Sequence, residues 1–152
     1  MGSSGREAAT TSSYADSSAL SKLFLTEDGS SQMDELVRAG GRIACGEMGY
    51  VEVRSALARG LRQGRISPVE HSALVLELRR FWQSVAHIAL DDELLERAAN
   101  HTEQHALRAY DAIHLAALEA FAAPGDATFA CWDRDLRDAA ANLDYELLPR
   151  QL

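Results

Sequence analysis

Four carboxylates stand out by type and placement. Glu52 is set between Val51 and Val53 in an otherwise apolar stretch, and Asp111 runs directly into Ala112, Ile113 and Leu115. Asp16 and Asp133 each follow a short run that reads as a strand. Taken singly, an Asp at a strand-to-helix junction caps the helix and contributes about 0.5–2 kcal/mol. The four are separated by 36, 59 and 22 residues, so only the fold can gather them. Carboxylates crowded out of water repel one another and take up protons unless a cation neutralises them. No His or Cys cluster of ligand spacing accompanies them, which favours a hard, oxygen-seeking ion, Mg2+ with Mn2+ as a substitute.

The elements that must position these acids follow from hydrophobic period and punctuation. Strands are expected at about 12–16, 42–45, 85–90, 128–131 and 145–148. Helices are expected at about 17–24, 31–39, from Gly46 to a stop at Gly64, then 68–84, 91–105, 109–122 and 133–142. Ser67-Pro68-Val69-Glu70 reads as a capping box with proline at the first helical position. Strands alternating with helices predict an α/β fold: a parallel sheet with right-handed crossovers and helices on both faces. In such sheets ligands collect outside the carboxyl ends of the strands, which is where Asp16 and Asp133 fall.

The chain has 152 residues, the size of one domain, with 47% hydrophobic and 25% charged residues. Residues 1–13 read as a flexible or appended tail, weakly charged and without the apolar stretch of an export signal, and 14–152 as the domain. No apolar run reaches the roughly 18–20 residues that a membrane span needs. Cys45 and Cys131 match no zinc spacing and read as small buried residues suited to a reducing cytoplasm. Net charge is −8, against a generic nucleic-acid coat protein. Residues 41–80 nevertheless hold seven Arg against four Glu.

Four local strings resemble, in order, the signature segments of PIN-domain proteins of the VapC toxin type. They are Tyr14-Ala15-Asp16-Ser17-Ser18-Ala19-Leu20, the stretch Tyr50 to Arg59 around Glu52, the stretch Leu107 to Leu118 around Asp111, and Phe129-Ala130-Cys131-Trp132-Asp133-Arg134-Asp135. The resemblance implies a sheet of about five parallel strands and a metal-dependent endoribonuclease, the toxin of a toxin–antitoxin pair. It implies Asp16, Glu52, Asp111 and Asp133 as catalytic and metal-binding acids, with Asp135, Ser17 and Ser18 as accessory candidates. It also implies a homodimer and a VapB-like antitoxin that offers an Arg or Lys to the acidic pocket. Cys131 departs from the Thr or Ser usual two residues before the last acid, and a thiol donates poorly to Asp133 or to a metal-bound water.

An acidic site repels RNA, so positive charge must hold the substrate; Arg54, Arg59 and Arg134 are the candidates, with Arg62 and Arg65 along the same stretch. His114 lies one turn after Asp111 and reads as a packed or hydrogen-bonded helix histidine, with proton shuttling as the functional alternative. Trp132 reads as a half-buried core aromatic, with stacking on a base as the functional alternative. Two rival readings differ in class from the toxin: a processing nuclease on the same fold without an antitoxin, and a non-catalytic interaction module, which would lack the acids.

Overall fold

The computed structural model describes residues 11–152. Five strands form one parallel sheet: β1 (Ser12–Ala15), β2 (Arg42–Gly46), β3 (Ala86–Ile88), β4 (Thr128–Ala130) and β5 (Glu146–Leu148), in the order β3-β2-β1-β4-β5. The helices are α1 (Ser17–Leu20), α2 (Ser30–Arg38), α3 (Met48–Arg62), α4 (Pro68–Trp82), α5 (Asp92–His105), α6 (Ala109–Phe121) and α7 (Arg134–Asn142). Each expected strand and helix is present within a few residues. The largest difference lies at 17–24, where the helix stops at Leu20 and tightens into a 3-10 turn over Ser21–Leu23.

Residues 1–10 of the expected tail lie outside the described residues. The tail's last two residues require a correction, because Ser12 and Ser13 are already part of β1. Their polarity is tolerated because they form the entry end of the strand, where Ser12 pairs with Arg42 and Ser13 with Ile43 and Thr128. Tyr14 and Ala15 carry the burial.

Alternation along the strands separates two apolar layers. Tyr14, Ala44 and Phe129 face α5, α6 and α7 and pack with Leu94, Leu115, Leu118 and Leu136. Ala15, Ile43, Cys45 and Ala130 face the other way, onto Leu20, Met33, Val53, Leu57 and Leu78 of α1–α4. Cys45 and Cys131 are buried and free, as expected. Gly49, in the first turn of α3, lies against the Cys45 thiol, where a Cβ would collide. That close approach seats α3 on β2 and fixes where Glu52, three residues later, projects. The capping box opens α4 as the sequence predicts: the Ser67 N–H donates to Glu70 Oε2 (2.7 Å) and the Glu70 N–H to Ser67 Oγ (3.2 Å).

The chain leaves β1 toward β2 and β3 on one side, then returns past β1 to build β4 and β5 on the other. The reversal between β1 and β4 opens a crevice at their carboxyl ends, where an open α/β sheet holds its ligand.

Candidate active site

Asp16 leaves the end of β1 and Asp133 follows β4, so the two strands flanking the reversal each deliver one acid. Glu52 comes from the second turn of α3 and Asp111 from the first turn of α6. All four line one cavity of about 320 Å3, together with Ser17, Ser18, Arg108, Tyr110 and His114. A groove of about 670 Å3 shares Ser17, Ser18, Glu52 and Tyr110 with it and continues past Val51 and Ser55 to Arg59.

Asp16 is the most enclosed of the acids, at 3% exposure. Its Oδ1 accepts from Ser18 Oγ (2.6 Å) and the Ala19 N–H (2.9 Å), so it caps α1 as the plain reading expects. Its Oδ2 accepts from the Cys131 thiol at 3.0 Å. The expectation about Cys131 thus takes a different form: the thiol faces Asp16, while its sulfur accepts weakly from the Asp133 N–H at 3.4 Å. Burial and the nearby Asp16 carboxylate push the Cys131 thiol far above its ordinary range, so it remains a protonated donor. Burial also raises the Asp16 carboxyl above its usual range, against the pull of His114, Ser18, Cys131 and Ala19.

Glu52 is held from both sides. Ser17 Oγ donates to its Oε2 (2.9 Å), and His114 Nε2 lies 2.7 Å from its Oε1. His114 is 2% exposed, and its Nδ1 lies 2.7 Å from the phenol of Tyr14. Donor counting assigns the tautomer. The Gly46 N–H donates to the Tyr14 oxygen (3.0 Å), and burial keeps that phenol protonated, so its one hydrogen points to His114 Nδ1. Nε2 then carries the hydrogen that reaches Glu52. Burial opposes protonation of His114, and Glu52, Asp16 and Asp111 outweigh it, raising the pKa. The neutral Nε2–H form remains the one in which every donor of the chain Gly46–Tyr14–His114–Glu52 meets an acceptor.

Asp111 and Asp133 share a partner. Arg108, the residue just before α6, donates from Nε to Asp111 Oδ2 (3.2 Å) and from Nη2 to Asp133 Oδ2 (3.3 Å). Asp133 Oδ1 accepts from the Leu136 N–H (3.0 Å), capping α7. Burial and the neighbouring Asp133 raise the Asp111 carboxyl, with Arg108 opposing. Arg137, buried at the base of α7, donates to the carbonyls of Cys131 (2.9 Å) and Pro149 (2.7 Å) and so fixes the segment that presents Asp133.

The remaining sequence candidates fall outside the cavity. Arg134 and Asp135 are exposed on the first turn of α7 and line neither cavity nor groove. Arg54 turns to the Tyr50 hydroxyl (3.1 Å), whereas Arg59 lines the groove. Trp132 is half-buried, with the Lys22 ammonium 4.9 Å from the ring centroid. Sequence reasoning passed over Arg108 and Tyr14, although both lie inside the quoted strings, because nothing in local spacing shows a partner 25 or 100 residues away. Tyr110, 64% exposed and shared by cavity and groove, was likewise legible only once both walls were in place.

Among the described residues, no three His, Cys, Asp or Glu side chains stand in an arrangement that closes around an ion. Three of the four acids give oxygens to uncharged protein donors, and Asp111 and Asp133 face a guanidinium. The donor chemistry fits a divalent cation all the same. The oxygens are hard donors lining one cavity, two of the carboxyls are raised by burial, and a protein cation already bridges two of the acids.

Such a crevice, acids at the carboxyl ends of β1 and β4 with two more from the flanking helices, belongs to a recognised class: the PIN domain family matches residues 13–142. Ribonuclease VapC45 of Mycobacterium tuberculosis is 33% identical over 139 residues, 91% of this chain and 96% of that protein. In fold, the chain is similar to PAE2754 from Pyrobaculum aerophilum (TM-score 0.67, 18% identity, 91% of this chain and 85% of that one). It is also similar to a chain of a toxin–antitoxin complex from Klebsiella pneumoniae (TM-score 0.60, 16% identity, 81% and 88%). The chain belongs to the PIN-domain family, among the ribonucleases of the VapC type.

Proposed function

We propose that this chain is a Mg2+-dependent endoribonuclease, the toxin of a VapBC-type module, whose catalytic residues are Asp16, Glu52, Asp111 and Asp133. The observation that carries the reading is that these four acids, scattered over 118 residues of sequence, line one cavity at the sheet reversal. They would hold Mg2+, or Mn2+ in its place, directly or through waters. The bound ion would supply an activated water and offset the charge that develops on the phosphodiester.

The chain's own groups do the rest. Ser17 and Ser18 hold Glu52 and Asp16 in place through their hydroxyls. The Tyr14–His114 pair holds Glu52 through its Oε1. Arg59 offers a phosphate contact along the groove, and Tyr110 an exposed ring on which a base can stack. Asp135, Arg54 and Arg134 take no part in the cavity as it stands.

A VapB-like antitoxin is the partner this reading calls for; the likeness to a chain of a toxin–antitoxin complex supports it. A basic side chain from the antitoxin would satisfy the same carboxylates as the metal. A homodimer and a cytoplasmic setting belong to the same proposal. They are supported by the exposed Val69 and Leu76 of α4 and by two free buried thiols. No helix among the described residues is long and apolar enough to cross a membrane.

The experiment is cleavage of single-stranded RNA with and without Mg2+ by the full chain and by Asp16→Asn and Asp111→Asn. Loss of a metal site worth several kcal/mol of transition-state stabilisation predicts a fall of about 10^3-fold or more. Near-native cleavage by either variant, or undiminished cleavage in excess chelator, contradicts the assignment.

A further inference from the structure

Arg108 stands apart from the other basic residues. Among the residues lining the acidic cavity it is the one with a permanent positive charge. Its guanidinium reaches Asp111 and Asp133 at once, yet the side chain is 79% exposed. It supplies no side-chain cap to α6, so capping does not explain its position. What keeps it in place is the two carboxylates, and they are the same two that a divalent ion would need.

We propose that Arg108 occupies the cation seat between Asp111 and Asp133 while the metal is absent, and binds the substrate's phosphate when the metal displaces it. This rests on the metal-dependent reading above. Two cations cannot share those oxygens without mutual repulsion, so metal entry turns the guanidinium out. An exposed arginine at the cavity rim changes rotamer without disturbing the core. Its planar fork of donors matches the paired oxygens of a phosphodiester, which a point charge does not. No other side chain lining the cavity carries a permanent positive charge, so the displaced guanidinium adds to the ion's attraction where the scissile group must approach. Arg108 in this account contacts substrate directly, while also setting how tightly the empty site takes up metal.

Titrating Mn2+ alone into the full chain, as wild type, Arg108→Ala and Arg108→Lys, separates the two roles. Removing two exposed ion pairs should tighten Mn2+ binding by roughly 3- to 30-fold in Arg108→Ala. The same variant should lose about 10- to 100-fold in kcat/KM on single-stranded RNA, mostly through KM, because a charged hydrogen bond to phosphate is gone. Arg108→Lys should restore Mn2+ affinity toward wild type but recover only part of the RNA cleavage. Equal Mn2+ affinity in wild type and Arg108→Ala overturns the seat, and unchanged cleavage by Arg108→Ala overturns the phosphate contact. A chain that binds Mn2+ in neither form refutes the metal reading itself, an outcome distinct from equal binding by both.

Discussion

Two His–Glu pairs anchor α6, and only one of them is joined to the acidic cavity. His114 meets Glu52 at 2.7 Å, and His101 meets Glu119 at 2.6 Å, both with a buried imidazole and a partly exposed carboxylate. As isolated pairs they are nearly indistinguishable. Their second nitrogens separate them. His114 Nδ1 is held by Tyr14, which is itself held by a backbone N–H of β2, so the pair is fixed to the sheet and aimed at the crevice. His101 Nδ1 has no partner among the described residues, and its Glu119 lines a separate pocket with Asp91, Glu93 and Arg97, which none of the four acids of the crevice enters. A hydrogen-bonded His–Glu pair gains functional meaning here from what braces it and what else faces it.

Breaking each pair in turn tests that contrast, and it gives the larger effect expected. His114→Gln leaves a donor for Glu52 but cannot also reach Tyr14. It should lower Mn2+ affinity and RNA cleavage by about 10- to 100-fold, the usual cost of an outer-shell partner. His101→Gln should cost about 1–2 kcal/mol in denaturant unfolding and leave both functional readouts at wild-type level. Equal functional losses in the two variants would erase the distinction.

A smaller effect sharpens the same contrast between groups joined to the crevice and groups that merely resemble them. Arg59 lines the groove that leads from the cavity, while Arg54, on the same helix, is committed to Tyr50. Arg59→Glu should weaken single-stranded RNA binding and flatten its salt dependence by about 0.7 or somewhat more in log–log slope, one phosphate contact's share. Arg54→Glu should leave the slope unchanged. If both variants change it alike, RNA follows the helix as a whole and the groove has no special role.

The acids were legible in the sequence because each sits in a strongly patterned string. Glu52 and Asp111 interrupt apolar helix faces, and Asp16 and Asp133 follow strands whose ends the period reveals. The parallel sheet was legible for the same reason, each strand being set off by helices with clear start and stop signals. Tyr14, Arg108 and Arg137 were not. Their roles depend on partners on other elements: Tyr14 on His114 and Gly46, Arg108 on Asp133, and Arg137 on the Pro149 carbonyl. Local spacing carries no trace of such pairings. The polar start of β1 misled the domain boundary, because Ser12 and Ser13 owe their place to neighbouring strands and not to their own side chains.

The central claim is that the four carboxylates serve divalent metal bound in one crevice. Burial raises Asp16 and Asp111 above the ordinary 3.8 of aspartate, so as pH rises past that value the folded protein releases these protons later than an unfolded chain does. Their contribution to stability is therefore present below about pH 3.8 and is lost as pH climbs through the raised values. Protons also compete with metal, so Mn2+ affinity should fall as pH is lowered from neutrality through the same range. The most direct measurement is a calorimetric Mn2+ titration of the wild type and of Asp16→Asn, Glu52→Gln, Asp111→Asn and Asp133→Asn at neutral pH. The account predicts that every one of the four substitutions weakens Mn2+ binding, by about tenfold or more, because affinity follows the charge and number of the ligands. Wild-type affinity in any of the four would remove that residue from the cation's shell, and wild-type affinity in all of them would place the metal, and the chemistry with it, elsewhere.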